Sequence, residues 1–397
     1  MCVLGSAGSA VSRDGSRGDS RRILHVVNRL DDRQGGALVA AMEIANAHVA
    51  RGHQVSLIGT SHPSDARTSL SSLDSRVVVH TVPRGRIMGR FNGSNELRRS
   101  LRQHFNAHDV VHVHSLWGLP SIMSAFFARR SRVRLIVSPH GSLDPYDLQK
   151  HRSAKRLLGP VLVRPVLQQA DLVLCTSSRE SRELETYGVR TRNSVLPLPV
   201  ADPPSQARHD GSIRQRYGIP ATAPLLLFLG RLDRKKGLPV TLEAFRILGN
   251  PQAYLLIAGE GTPGFESQIK RMVPESLRER VVFTGWLSGE SKWSALRGAD
   301  LLVLLSDNEN FGISVVEAIK SGLPALLTDD VYIAGDLAEA GAARICSQDA
   351  AVAAAALESL LSHPAGLEGM AQAARECAAT VFDNEAIYDS LDATLRA

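Results

Sequence analysis

Cysteine is scarce in this chain: four among 397 residues, at Cys2, Cys175, Cys346 and Cys377, with no CxxC pair. That spacing excludes a disulfide framework and a cysteine-built zinc site, and it fits a reducing compartment. Cys175, inside an apolar run, reads as a buried strand residue. Long apolar runs are absent too. None approaches the ~18–20 residues that span a bilayer, so a cytoplasmic protein without a spanning helix is expected. Residues 1–20 are rich in Gly, Ser and Arg and lack the apolar core of a secretory signal, so a disordered tail is expected there. Aromatic residues make up only 5%, with three Trp and six Tyr, and no recognised nucleic-acid motif occurs, which argues against a nucleic-acid partner. Three further signatures are missing. Without GxxxxGK[ST] there is no P-loop, and without GxSxG no nucleophile elbow. Without any Asp-x-Asp tripeptide, a metal-clamped diphosphate is disfavoured, and no metal and no cofactor are expected.

What is present is the balance of an ordinary globular protein, 44% hydrophobic and 22% charged. The net charge of +6 hides an asymmetry. Residues 1–205 hold 28 Lys and Arg against 16 Asp and Glu, whereas residues 206–397 hold 18 against 24. Such a split suggests two modules with different partners. It coincides with the proline-rich stretch Leu196-Pro197-Leu198-Pro199 and Asp202-Pro203-Pro204, the best candidate linker.

Both halves alternate apolar strands with helical patterns, the signature of parallel α/β sheets. In the first half, 23–27, 54–59, 77–82, 109–115, 134–138 and 171–176 read as strands. Helices are expected over 35–50, opened by Gly35-Gly36, and over 94–106, 119–130, 148–170 and 178–187. In the second half, 224–229, 254–258, 281–284, 301–305 and 324–327 read as strands. Helices fill 238–248, 265–272, 290–298 and 313–321, and three more follow at 349–361, 365–380 and 384–395. The expected division is a tail at 1–20, a first domain at 21–204, a second at 205–380, and a C-terminal helix at 381–397 that crosses back to the first.

Three segments carry chemistry. Gly230-Arg231-Leu232-Asp233-Arg234-Lys235-Lys236-Gly237 leaves a strand and enters a helix. A helix N-terminus with two cations beside it, Arg231 and Lys236, suits a diphosphate. In Ser306-Asp307-Asn308-Glu309-Asn310-Phe311-Gly312, followed by a helix holding Glu317, two carboxylates stand eight positions apart, able to accept bonds from sugar hydroxyls. Glu309 lies in the turn and Glu317 on the second helical turn. Ser138-Pro139-His140-Gly141 puts a histidine at a strand end. His112 and His114 share a strand face, but no third ligand lies near them in sequence, so a metal is not expected. Gly259-Glu260-Gly261-Thr262-Pro263-Gly264 matches GxGxxG, yet it follows the second strand of its domain and holds Pro263. It reads as a glycine turn contacting a nucleotide rather than a dinucleotide fingerprint.

Assembled, these motifs resemble the retaining glycosyltransferases of family 4, over roughly residues 21–397. Glu309 and Glu317 with Phe311-Gly312 between them look like the family's paired-glutamate signature, and Gly230-Arg231-Leu232 with Lys236-Gly237 like its diphosphate motif. Gly35-Gly36, the strand into His114, His140-Gly141 and Ala258-Gly259-Glu260-Gly261 recur in similar order, and 139–170 is similar to bacterial members that build surface polysaccharides. The resemblance implies an α/β GT-B fold, two doubly wound Rossmann-like domains facing across a cleft. It implies a nucleotide-diphospho-sugar donor and a glycan or polyprenyl-diphosphate-linked acceptor. Arg231 and Lys236 would bind the diphosphate and stabilise the leaving nucleotide, Glu309 would position the donor sugar, and Glu317 would hold the ribose. Gly35 and Gly36 would let backbone approach the donor, and His140 would contact the transferred sugar. Gly259, Gly261, Asn310, Phe311 and Gly312 complete the expected donor site. Asn310 departs from the glycine that many members carry there. A nucleotide-sugar 2-epimerase of the same fold and, more distantly, a basic nucleic-acid-binding protein are the alternatives. Arg84, Arg86, Arg90, Arg98, Arg99 and Arg102 make one basic stretch. Lys150, Arg152, Lys155 and Arg156 lie beside Leu157, Leu158, Val161 and Leu162. Cations beside an apolar helical face suit an anionic membrane, so peripheral association with the inner membrane face is expected.

Overall fold

The computed structural model describes residues 20–30, 36–61, 70, 72–85, 93–149, 152–204 and 211–396. Gly35, Arg86, Arg90, Lys150 and nearly all of the expected tail lie outside the described residues. Two compact units divide the chain, one built from residues up to Pro199 together with Asn384 onward, the other from Val200–Asp383.

The first unit holds seven parallel strands: β1 Arg22–Arg29, β2 Gln54–Ser61, β3 Val78–Pro83, β4 Val110–His114, β5 Arg134–Ser138, β6 Leu172–Cys175 and β7 Asn193–Val195, in the order β3-β2-β1-β4-β5-β6-β7. The second holds six: β8 Leu225–Leu229, β9 Tyr254–Ala258, β10 Val281–Gly285, β11 Leu301–Leu304, β12 Ala325–Thr328 and β13 Ala343–Cys346, in the order β10-β9-β8-β11-β12-β13. Strands covered by helices on both faces lose their polar alternation. The central ones show it: Val110–His114 and Leu225–Leu229 are buried at every position. In each sheet the strand order reverses beside the first strand, between β1 and β4 and between β8 and β11. Ligands of open α/β sheets bind beyond the strand ends at such a point.

The strands expected from sequence all form. Two edge strands were not expected, because neither has a continuous apolar run: β7 is Asn193-Ser194-Val195, half-buried throughout, and β13 is interrupted by exposed Arg344. The single helix expected over 148–170 is instead a series of short pieces. Helices Pro145–Gln149 and Arg152–Leu158 precede a π turn at Gly159–Val163 and a last helix at Arg164–Gln168. Pro160 and Pro165 lack the N–H that an α ladder needs, and the wider turn absorbs the break.

The helix Asn384–Arg396 packs on the helix Gly36–Ala50 of the first unit. It buries Ile387, Leu391 and Leu395. Arg51 pairs with Asp389 at 2.7 Å, and His53 meets Asp392 Oδ1 at 2.7 Å. In the second unit, Lys320 gathers both ends of the segment. Its Nζ donates to the carbonyls of Val200 (2.8 Å) and Phe382 (3.1 Å) and pairs with Asp202 at 2.6 Å.

Candidate active site

In the second unit the loops after β8 and β11 lie at the strand-order reversal and are fastened to each other. Asp307 N–H donates to the Lys235 carbonyl at 2.8 Å. Gly237, at φ 69°, presses against Leu305 so closely that a Cβ would overlap its carbonyl oxygen. From these loops Lys236 Nζ reaches the Glu309 carboxylate in a direct ion pair, both side chains mostly buried. The backbone of Glu309 is pinned separately: its N–H donates to Asp330 O and its carbonyl accepts from Tyr332 N–H, both at 2.9 Å. Glu317 is buried on the helix Ile313–Lys320, where Lys292 holds Oε1 at 2.5 Å. Arg231 is exposed and makes no ion pair among the described residues.

The glycines separate into two kinds. A Cβ on Gly259 would overlap the Gly230 carbonyl oxygen, and one on Gly261 the Leu232 carbonyl oxygen. These two let the β9 loop lie against the β8 loop, where Leu232 N–H donates to Glu260 O at 2.8 Å. Packing of the unit therefore explains them. Gly36 has nothing within 4 Å of a Cβ, so packing does not explain its lack of a side chain; Gly230 also has open space, but its φ of 152° is one that other residues rarely adopt. In the acidic turn the left-handed residue is Gly312 at φ 77°, which caps the helix Ile313–Lys320; Asn310 is not in the left-handed region. The departure at Asn310 costs no backbone strain. Phe311 is buried and packs edge-on against Phe382, anchoring the turn.

In the first unit the unusual backbone lies at the ends of β4 and β5. Ser115 (φ 72°) and His140 (φ 50°) are the only non-glycine residues with positive φ among those described. Two strained residues at adjacent strand ends mark a site held by its surroundings. Glu180 is part of what holds it. This fully buried carboxylate accepts from Gly141 N–H and Thr176 N–H, both at 2.7 Å. His140 Nε2 lies 2.9 Å from His114 Nδ1, and burial pushes the His140 pKa down to about 4. The rings of His112 and His114 stack at 4.2 Å, confirming their shared face. The third histidine that the local sequence lacks comes from β1: His25 is registered opposite His112 and lies 2.9 Å from His114 Nε2. The ring nitrogens of His25, His112 and His114 lie within 4.8 Å of one another.

Two family models together cover most of the chain. The glycosyl transferase 4-like domain matches residues 35–199, and the glycosyl transferases group 1 model matches residues 210–377. The chain belongs to the glycosyltransferases of the GT-B fold. Among solved structures, Anabaena HepE in complex with UDP and glucose superposes with a TM-score of 0.77 at 19% identity, covering 95% of this chain and all of that one. The GDP-mannose:cellobiosyl-diphosphopolyprenol alpha-mannosyltransferase of Xanthomonas oryzae pv. oryzae is 26% identical over 84% of this chain and 85% of its own. The mannosylfructose-phosphate synthase of Agrobacterium fabrum is 31% identical over 41% of this chain, a match spanning 38% of that protein's length.

Sequence reasoning passed over several residues that hold the candidate site residues in place. Lys292 sits 25 positions before Glu317, and nothing in its helix advertises the pair. Glu180 had a readable signal, since Ser177-x-x-Glu180 is a capping box and Ser177 Oγ accepts from Glu180 N–H at 3.2 Å. Ser115 had none, because a left-handed serine has no sequence signature.

Proposed function

We propose that the enzyme transfers a hexosyl group, with retention and without a metal, from a nucleotide-diphospho-sugar to a hydroxyl of a glycan or lipid-linked acceptor in cell-surface polysaccharide synthesis. The observation that carries this reading is the Lys236–Glu309 pair at the strand-order reversal. A diphosphate arriving beside the start of the helix Leu238–Leu248 would draw the Lys236 ammonium to itself, with exposed Arg231 adding a second charge. Glu309 would then be released to accept bonds from donor sugar hydroxyls while its backbone stays pinned. Glu317 would take the ribose hydroxyls, and His140 a group on the transferred sugar. Arg231, Lys236 and the helix dipole would neutralise the negative charge that develops on the departing nucleotide. The absence of Asp-x-Asp in the sequence supports cationic side chains in the role a metal plays elsewhere.

A polyprenyl-diphosphate-linked acceptor at the inner membrane face is supported by the Xanthomonas relative's name and by one surface of the first unit. Among the described residues no single helix is long and apolar enough to cross a membrane. Leu157 and Val161 are nevertheless 74% and 68% exposed beside exposed Arg152 and Arg156.

The donor is tested first by thermal shift against UDP-, GDP- and ADP-sugars. A ligand at 100 times its dissociation constant adds about 2.7 kcal/mol of stability. With the donor identified, Lys236→Ala and Glu309→Ala are each expected to lower kcat about 10²–10³-fold, the usual effect of removing one preorganised charge contact, with unchanged melting temperatures. Wild-type rates in both would refute the assignment. Nucleotide release with an epimerised sugar and no acceptor would favour epimerisation instead. Co-sedimentation with anionic vesicles at low salt, lost in Leu157→Asp/Val161→Asp, tests the membrane part.

A further inference from the structure

Four histidines form one hydrogen-bonded file through the first unit. His48, in the last turn of the helix Gly36–Ala50, places Nδ1 3.1 Å from Nε2 of His25 on β1. His25 Nδ1 lies 2.9 Å from Nε2 of His114 on β4, and His114 Nδ1 lies 2.9 Å from Nε2 of His140 beyond β5. Burial lowers the pKa of all four, so all four are neutral near pH 7. The groups facing them are neutral or turned elsewhere. His112, itself held neutral by burial, bonds Ser138 Oγ through Nε2 at 2.8 Å, and His53 is engaged with Asp392. Among the described residues no carboxylate hydrogen-bonds any of the four rings.

A neutral imidazole carries one N–H and one acceptor nitrogen. Four rings bring four N–H groups, and three N–H···N bonds consume three. The remaining N–H must stand at one end of the file, on His48 Nε2 or on His140 Nδ1. His48 Nε2 is buried with no partner among the described residues. A proton there would be an orphaned N–H in a dry core, the rarer kind of buried unpaired group. His140 is partly exposed and its Nδ1 bonds no described residue, so a proton there has water or a ligand to bond. We propose that the buried file fixes the polarity of all its bonds outward, so that His140 presents Nδ1–H as a permanent donor at the end of β5, with His114, His25 and His48 as positioning residues. Such a donor suits a phosphate or hydroxyl oxygen. That consequence rests on the reading above; the tautomer does not, because it is a property of the free protein.

Ring ¹⁵N–¹H correlation spectra of the full-length, ¹⁵N-histidine-labelled protein at pH 7.5 test it without any ligand, with His140→Asn assigning the critical resonance. The expected result is the Nδ1–H form at all four rings. The opposite polarity puts all four in the Nε2–H form and overturns the proposal. In His114→Leu the His140 ring is expected to lose its fixed form and populate both tautomers. An unchanged His140 tautomer in that variant overturns the proposal too. So does a stoichiometric transition metal in the purified protein, since an ion on His25, His112 and His114 would take the lone pairs the file needs. If His114→Leu fails to fold, the wild-type pattern alone still decides the polarity. Failure of the donor panel with the Nδ1–H pattern intact would refute the transferase reading and leave the file standing.

Discussion

Gly237 has no room for a side chain and a φ of 69°, whereas Gly36 has open space around it. The same residue type therefore answers to two different demands. Gly237→Ala must push the β8 loop off Leu305 or distort φ, and strain of this kind costs roughly 1–3 kcal/mol. A urea titration should show that loss together with weakened donor binding. Gly36→Ala should leave the fold intact or stabilise the helix by roughly 0.5–1 kcal/mol. If backbone approach to the donor is its purpose, the alanine should weaken binding all the same. Unchanged donor affinity in Gly36→Ala would remove Gly36 from the site. At this scale the sequence is informative where one short segment carries the whole signal. Lys236 and Glu309 were legible because each sits in a polar turn directly after an apolar strand. Their direct pairing was not, since it joins loops 73 positions apart. Asn310 looked like a conformational obstacle only because sequence cannot say that the left-handed residue of that turn is Gly312.

At the scale of elements, the parallel strands were legible from buried apolar runs, and the edge strands and the broken 145–168 segment were not. An edge strand is half-wet and short, so its pattern is weak. The central strands carry a second property. β1 and β4 place His25, His112 and His114 in the interior with His48, His140 stands partly exposed beyond the β5 end, and burial lowers the pKa of every one below the ordinary 6.5. The unfolded chain binds these protons below pH 6.5 and the folded unit takes them up only at lower pH, so stability is fully present above 6.5 and falls as pH drops below it, for His140 down to about 4. Each such group contributes a slope of about 1.4 kcal/mol per pH unit. In the second unit the one described histidine, His363, is exposed. Unfolding followed by calorimetry should therefore show the first unit's transition moving down steeply between pH 6.5 and 5 while the second unit's moves less. Parallel shifts would show that the buried rings do not stay neutral.

For the whole molecule, charge and division of labour coincide. The first half carries the excess of Lys and Arg, and the second, acidic overall, concentrates Arg231 and Lys236 at the loop after β8. The chain leaves the first unit at Pro199 and returns to it at Asn384, and Lys320 binds both crossings through Val200 and Phe382. Truncation after Asp383 removes Ile387, Leu391 and Leu395 from the first unit. Full burial of such side chains stabilises by about 1.5–3 kcal/mol each, a sum comparable with the ~5–15 kcal/mol stability of a domain. The truncated protein should lose the first unit's melting transition or shift it down by more than ten degrees, with the second unit's transition retained. Retention of both would show that the helix is an ornament.

That returning helix also sets an order of assembly during translation. Everything the second unit needs, from Val200 to Asp383, is synthesised before Asn384, so the acidic unit's own chain is complete one helix earlier than the basic unit's. The basic unit, although it is synthesised first, must wait with the face of its helix Gly36–Ala50 uncovered until the last helix arrives. A chain that lacks Asn384–Arg396 therefore strands the earlier-made unit, with the helix Gly36–Ala50 left without the partner that packs on it.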